Sequence, residues 1–142
     1  MRLLDVNVLV NAHRRDATRH DEYRALVASI VDGEEPYAVS DFVITGFVRV
    51  ATNLRSLPKP ATLDEAVGFA DQIRNQPRAV VINPGDRFWG IFTRLCRESG
   101  ATGKLVPDAY LAALAIEHGC EFLTDDRDFA KFPGLRWRHP LN

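Results

Sequence analysis

The segment MRLLDVNVLVNA, residues 1–12, decides the fold class. Residues 2–6 are a short apolar run, which predicts a buried strand. Asn7 has the side chain preferred at a helix N-cap, so a helix is expected directly after the strand. Asp5 stands inside the apolar run, where a carboxylate is costly unless something pairs with it. Asp5 therefore either caps a turn or holds something charged.

The rest of the chain continues the alternation of short apolar strands with helical patterns. Further strands are predicted at 34–40, 78–82, 121–124 and, at an edge, 135–139. Helices are predicted at 17–32, 41–53, 63–75, 87–100 and 108–119, with a loop at 57–62 and a capping box from Thr62 to Glu65. This order predicts a parallel sheet covered on both faces. We expect one α/β domain over residues 1–142, with four to five strands in its sheet.

Composition limits the class of protein. The 142 residues are 46% hydrophobic and 26% charged, which is sufficient for a core without disulfides. Cys96 and Cys120 lie far apart and predict reduced thiols in a cytosolic protein. No apolar run approaches a membrane span, and no signal peptide is evident. The net charge of −1 argues against a simple basic nucleic-acid-binding protein, but it is compatible with a nuclease whose acidic site holds metal ions.

Acidic residues follow the predicted strands or begin a predicted helix at the edge of the sheet where α/β sites form. Asp5 ends the first strand, Asp108 begins the most apolar helix, and TDDRDF (124–129) follows the fourth strand. Each alone has an ordinary explanation as a cap, a helix-dipole partner or a solvated turn. Together they form a carboxylate cluster that suits Mg²⁺ or Mn²⁺ and metal-assisted phosphoryl chemistry. Without a cation they should repel one another, which raises their pKa values.

Two blocks of the sequence, LLDVNVLVNA (3–12) and VPDAYLAALAIEHGCEFLTDDRDFAKFPGLRW (106–137), resemble PIN-domain ribonucleases, and most closely the VapC-type toxins of toxin–antitoxin pairs. The resemblance implies a three-layer α/β/α fold and an endoribonuclease that depends on Mg²⁺ or Mn²⁺. It also implies an RNA substrate, a cognate VapB-like antitoxin and a homodimer.

The motif positions of the family fall on particular residues of this chain. They are Asp5, Asn7, Asp108, Thr124, Asp126 and Asp128. The resemblance thus implies Asp5, Asp108 and Asp126 as catalytic and metal-binding residues. It favours Asp126 over its neighbour Asp125, makes Asp128 a secondary candidate, and gives Thr124 the task of orienting a ligand or water.

One position departs from the family pattern. Where the family usually carries a glutamate in the third helix, this chain has Gly46. Asp41 lies five residues earlier, about 140° around a helix, so its use as a substitute stays open. The missing glutamate puts a second metal site in doubt. The candidates for contacts to the RNA backbone are Arg14, Arg15, Arg49, Arg94, Arg97 and Lys104.

Two other functions compete with the ribonuclease hypothesis. The missing glutamate suggests a non-catalytic PIN-fold interaction protein. The D-x-N start and the late acidic pair slightly resemble a haloacid-dehalogenase-type phosphatase, which uses an aspartyl nucleophile. That chemistry needs a second acid two residues after the first, and Asn7 cannot exchange the proton.

Overall fold

Strands and helices alternate throughout the computed structural model, which describes residues 1–55 and 58–142. The strands are β1 (Arg2–Leu4), β2 (Tyr37–Val39), β3 (Ala79–Val81), β4 (Glu121–Leu123) and β5 (Trp137–Arg138). The α-helices are α1 (Val6–His13), α2 (His20–Val31), α3 (Asp41–Ala51), α4 (Leu63–Arg74), α5 (Phe88–Ser99) and α6 (Leu105–Glu117). A 3₁₀ helix (Arg127–Lys131) connects β4 to β5.

Within these described residues the strands form one five-stranded sheet in the order β3-β2-β1-β4-β5. Every neighbouring pair is parallel; Leu3, for example, is in register with Ala38 on one side and with Phe122 on the other. Both faces of the central strands are covered, and Leu3 and Phe122 are fully buried. The predicted α/β class and the predicted edge strand are confirmed.

The direction of winding explains the layers. From β1 the chain moves to β2 and β3, then crosses back to β4 and β5 on the other side of β1. Because βαβ crossovers are right-handed, opposite directions place the helices on opposite faces of the sheet. The contacts agree, since α1 packs on α2 and α3, α3 packs on α4, and α5 packs on α6. The three-layer α/β/α arrangement is confirmed.

The winding reverses between β1 and β4, and this position decides where a site can form. In open α/β sheets, ligands bind beyond the carboxyl ends of the strands at such a switch point. Asp5 follows β1 directly, and Thr124 follows β4 directly. The apolar helix α6, buried at Ala109 and over 111–115, leads into β4 and brings Asp108 to the same edge.

Several element boundaries differ from the predicted ones. α6 begins at Leu105 rather than at 108, because Pro107 is tolerated in a first turn, where its missing N–H is not needed. α2 begins at His20 rather than at 17, after Arg19 adopts a left-handed φ of 59°. Gly100 ends α5 with a φ of 68°, as its position predicts.

The predicted start of α4 is confirmed. Thr62 accepts from the backbone of Glu65, and Glu65 accepts from the backbone of Thr62, both at 3.2 Å. The loop expected at 57–62 begins at Leu57, which lies outside the described residues. No helix in the described part of the chain combines the length and the apolar character needed to cross a membrane.

Candidate active site

Asp5 is the N-cap of α1, which corrects the prediction that Asn7 caps this helix. The Asp5 Oδ1 atom accepts from the backbone N–H of Val6 at 2.7 Å. Asn7 is the second residue of α1, too late in the chain to cap it. Asp5 is only 7% exposed. The alternative that Asp5 is a cap is therefore confirmed, and the alternative that it holds something charged stays a prediction.

Thr124 connects Asp5 to the acidic loop after β4. Its hydroxyl donates to Asp5 Oδ2 at 2.7 Å and accepts from the backbone N–H of Asp126 at 3.0 Å. Thr124 is completely buried. Burial raises the pKa of Asp5, the hydrogen bonds from Thr124 and Val6 partly offset this, and nearby carboxylates raise it further.

Asp108 lies in the first turn of α6 and is partly buried. Burial, together with the negative charges of Asp126, Asp5 and Asp128, raises its pKa from 3.8 to about 6. These charge effects indicate that Asp108 lies at the same edge of the sheet as Asp5 and Asp126. The pKa values of Asp5 and Asp108 are raised as expected, chiefly by burial and further by the charges of neighbouring acids.

The adjacent acids Asp125 and Asp126 have different contacts. Asp126 caps the 3₁₀ helix by accepting from the backbone N–H of Asp128 at 2.9 Å, and its charge acts on Asp108. Asp125 instead accepts hydrogen bonds from three side chains of α1 and α2, namely Asn7, Asn11 and Tyr23. Asp125 thus connects the loop after β4 to two helices, whereas the negative charge of Asp126 contributes to the raised pKa of Asp108.

Asn7 contributes a feature that the sequence did not reveal. Its Nδ2 atom donates to Asp125 and lies 3.5 Å from Thr124 Oγ1, whereas its Oδ1 atom is buried and has no hydrogen-bond partner among the residues that the structure describes. Buried polar atoms are normally satisfied, so an oxygen without a donor in this place is available to a ligand. The i, i+4 spacing of Asn7 and Asn11 on one helix face was the available signal for their shared contact with Asp125.

Gly46 and Asp41 resolve the question of the missing glutamate. A Cβ atom at Gly46 would lie 3.0 Å from Val6 Cγ2, so this position faces the start of α1, beside Asp5. The side chain of Asp41 is bound by Arg74 through both carboxylate oxygens, at 2.6 and 3.1 Å, which lowers its pKa. Asp41 is thus engaged in an ion pair and does not replace the glutamate.

The donor set of the cluster suits a partly hydrated magnesium ion. Among residues 1–55 and 58–142, no three His, Cys, Asp or Glu side chains are arranged to enclose an ion by themselves. Mg²⁺ does not require such a cage, because it keeps several waters and binds one or two carboxylates together with substrate phosphate. The carboxylates of Asp5, Asp108 and Asp126 and the unpartnered Asn7 oxygen are all hard ligands of the kind it prefers. Asp128 is exposed and lies 3.6 Å from Lys131 Nζ, outside this set.

A three-layer α/β/α fold with carboxylates at the switch point of its sheet places this protein among the α/β proteins whose sites lie beyond the carboxyl ends of the strands. The family model of the PIN domain matches residues 2–135. Ribonuclease VapC43 of Mycobacterium tuberculosis is 42% identical over 142 residues, which cover 100% of this chain and 97% of that protein. The chain therefore belongs to the PIN-domain family, among the VapC ribonucleases. Membership of this family excludes the alternative of a haloacid-dehalogenase-type phosphatase.

Solved structures agree on the fold. VapBC2 of Rickettsia felis, bound to a DNA fragment from the promoter, gives a TM-score of 0.69 at 17% identity and covers 97% of each chain. VapC20 of Mycobacterium tuberculosis, described as a sarcin–ricin loop cleaving toxin, gives 0.67 at 18% identity and covers 96% of this chain and 99% of that one. At these identities the likeness supports the fold alone.

Proposed function

We propose that this chain is a metal-dependent endoribonuclease and the toxin of a type II toxin–antitoxin pair, with Asp5, Asp108 and Asp126 as its catalytic and metal-binding acids. The observation that carries the proposal is the position of the three acids at one switch point: buried Asp5 follows β1, partly buried Asp108 lies in the first turn of α6, and partly buried Asp126 lies in the loop after β4. The 42% identity to a full-length protein named a ribonuclease supports the same activity.

The residues prepare the site before any cation arrives. Asp5 is held by Val6 and Thr124, so its carboxylate loses little freedom when it takes a ligand. Asp108 holds a proton up to about pH 6, and above that pH its charge adds to the attraction for a divalent cation. A bound Mg²⁺ or Mn²⁺ supplies a more acidic water and neutralises charge on the phosphodiester.

The proposed partners follow from the family. The substrate is RNA, and a cognate VapB-like antitoxin inhibits the toxin, as the VapBC name of the Rickettsia felis structure suggests for its own pair. We further propose that residues 1–142 form a single nuclease domain, that it works as a homodimer, and that it acts in the cytoplasm, where its RNA substrates are.

Expression of the chain alone in a bacterium tests the proposal. Growth should stop within a few generations, new RNA 5′ ends should accumulate at a small number of sites, and a neighbouring antitoxin gene should restore growth. The Asp126→Asn variant, expressed to the same soluble level, should be harmless. Wild-type protein that accumulates in soluble form without arresting growth or producing new RNA ends supports the non-catalytic alternative instead.

A further inference from the structure

Asp125 stands between the acids of the candidate site and two helices. Its Oδ1 atom accepts from the Nδ2 group of Asn7 on α1. Its Oδ2 atom accepts from Asn11 Nδ2 at 3.4 Å and from the Tyr23 hydroxyl at 3.3 Å. An ionised carboxylate can only accept, and each of these three groups faces it with a donor. Because Asn11 lies on α1 and buried Tyr23 on α2, side chains outside the loop after β4 hold the Asp125 carboxylate in place.

The contact with Asp125 fixes which way the Asn7 amide faces. An asparagine side chain ends in an oxygen and an N–H₂ group, and a half-turn of the amide exchanges the two; the hydrogen-bond partners decide between the orientations. After such a half-turn the Asn7 oxygen would meet the Asp125 carboxylate, and two acceptors would face each other without a proton between them. Asp125 therefore holds the N–H₂ group toward the loop after β4 and leaves the oxygen on the other branch of the amide.

The Asn7 oxygen lies in a buried and polar place. It has no hydrogen-bond partner among residues 1–55 and 58–142. The Nδ2 atom of the same amide is 3.5 Å from Thr124 Oγ1, which donates to Asp5 at 2.7 Å. The charge of Asp125 contributes to the raised pKa of Asp5, in agreement with this placement. A buried acceptor so near the acid that follows β1 is expected to have a partner, and a ligand of the site can be that partner.

We propose that Asp125 is a positioning residue, which turns the Asn7 oxygen toward the divalent cation that the three acids are proposed to bind. The proposal rests on the ribonuclease function proposed above, and it adds to the acids a neutral oxygen and the residue that orients it. Residues that orient the groups around a metal commonly change its affinity by about ten- to a hundredfold when they are replaced. Asp125 acts through Asn7, because donors of α1 and α2 already occupy both of its own oxygens.

Calorimetric titration of the full chain with Mn²⁺ tests these roles. Asn7→Leu has a similar shape without the oxygen and should weaken Mn²⁺ binding by about tenfold. Asp125→Leu keeps the Asn7 oxygen but removes the acceptor that orients it, so it should also weaken binding by about tenfold. The double variant should bind Mn²⁺ no more weakly than Asn7→Leu, because Asp125 acts through Asn7. Asp128→Leu removes the same charge from an exposed position of the same loop and should bind like wild type.

An exchange of the two side chains reverses the polarity of their contact. Asn7→Asp alone places two carboxylates against each other and should lower the melting temperature in EDTA. Adding Asp125→Asn supplies an amide that donates to residue 7 and accepts from Tyr23 through its oxygen. Asp125→Asn should therefore lower the melting temperature of wild type but raise that of Asn7→Asp, by about 3 °C in each case. The exchanged protein keeps an oxygen toward the cation and should bind Mn²⁺ at least as tightly as wild type.

The possible results for the Asn7–Asp125 pair have distinct meanings. If either leucine variant binds Mn²⁺ like wild type, or if the two losses add in the double variant, the proposal is wrong. If Asp125→Leu does not fold, the exchanged pair decides, and loss of Mn²⁺ binding there contradicts the proposal. Agreement of all binding results in a protein that cleaves no RNA overturns the proposed ribonuclease function and leaves the positioning role standing. A wild type that binds no Mn²⁺ overturns the proposed cation site and this role together.

Discussion

Thr124 Oγ1 and Asp5 Oδ2 are joined by a hydrogen bond of 2.7 Å, although the two residues are 119 positions apart. The bond connects the ends of β4 and β1, which are neighbours in the sheet. Because Thr124 is completely buried, its hydroxyl has no water as an alternative partner. The fold itself therefore fixes the Asp5 carboxylate before a metal or an RNA arrives.

Replacing Thr124 tests this connection. Thr124→Val keeps the shape of the side chain but leaves a buried carboxylate oxygen without its donor, which should cost about 1–3 kcal/mol in the free energy of unfolding. Thr124→Ser should recover most of that loss. Urea denaturation measures both. Thr45→Val is the matched control, because the Thr45 hydroxyl is exposed and bonds only within its own helix. Equal stabilities for the two valine variants rule out the role given to Thr124.

Asp108→Asn should stabilise the metal-free protein in a pH-dependent way. Burial and neighbouring acids raise the pKa of Asp108 from 3.8 to about 6, so ionising this group destabilises the fold. The penalty is absent below pH 4 and grows as the pH rises through about 6. In EDTA at pH 7.5 the variant should melt about 2–5 °C above wild type, and the difference should vanish near pH 4. Asp86→Asn, at an exposed position, is the control. A variant that melts below wild type at pH 7.5 contradicts the assignment.

The neighbours Asp125 and Asp126 should respond differently to the same substitution. Asp125→Asn places an amide N–H₂ group against donors from α1 and α2, so it should lower stability by about 1–2 kcal/mol and leave RNA cleavage measurable. Asp126→Asn should reduce cleavage by about a hundredfold or more at nearly unchanged stability. Tyr23→Phe removes one of the donors to Asp125 and should give a smaller loss than Asp125→Asn. The reverse pattern, with Asp125 essential for cleavage, means that the two roles are exchanged.

The fold class and the edge on which the acids meet could be predicted because each depends on local pattern. The apolar run at 2–6 predicts a strand, and the capping box at Thr62 predicts a helix start, each from only a few neighbouring residues. Local pattern could not predict which residue caps α1. A cap is recognised by the type of its side chain, and Asp5 and Asn7 are equally suitable. Only the placement of Val6 N–H against Asp5 separates them.

Contacts between elements that are distant in the chain could also not be predicted from the sequence. That Asp125 meets Tyr23, and that Asp41 is neutralised by Arg74, depends on how the helices pack on the sheet.

Gly46→Glu tests how many cations the site holds. Position 46 faces Val6, the residue after Asp5, so the substitution places a carboxylate at the start of α1 after a small shift of the Val6 methyl group. Wild type should bind one Mn²⁺ per chain in calorimetry, and Gly46→Glu should gain a second. Gly46→Gln has the same shape without the charge and should bind one. Two ions in wild type, or the same gain with glutamine, show that the missing glutamate does not limit the site.

Cleavage of total bacterial RNA by the purified chain, followed by sequencing of the new 5′ ends, decides whether the acidic cluster is a metal-dependent ribonuclease site. Wild type should cut in Mg²⁺ or Mn²⁺ and stop in EDTA, and Asp108→Asn and Asp126→Asn should be inactive. Asp128→Asn removes a charge from the same loop, at an exposed position outside the proposed donor set, and should cut at close to the wild-type rate. Cleavage that persists in EDTA, or that survives in Asp108→Asn and Asp126→Asn, shows that these carboxylates do not carry the reaction.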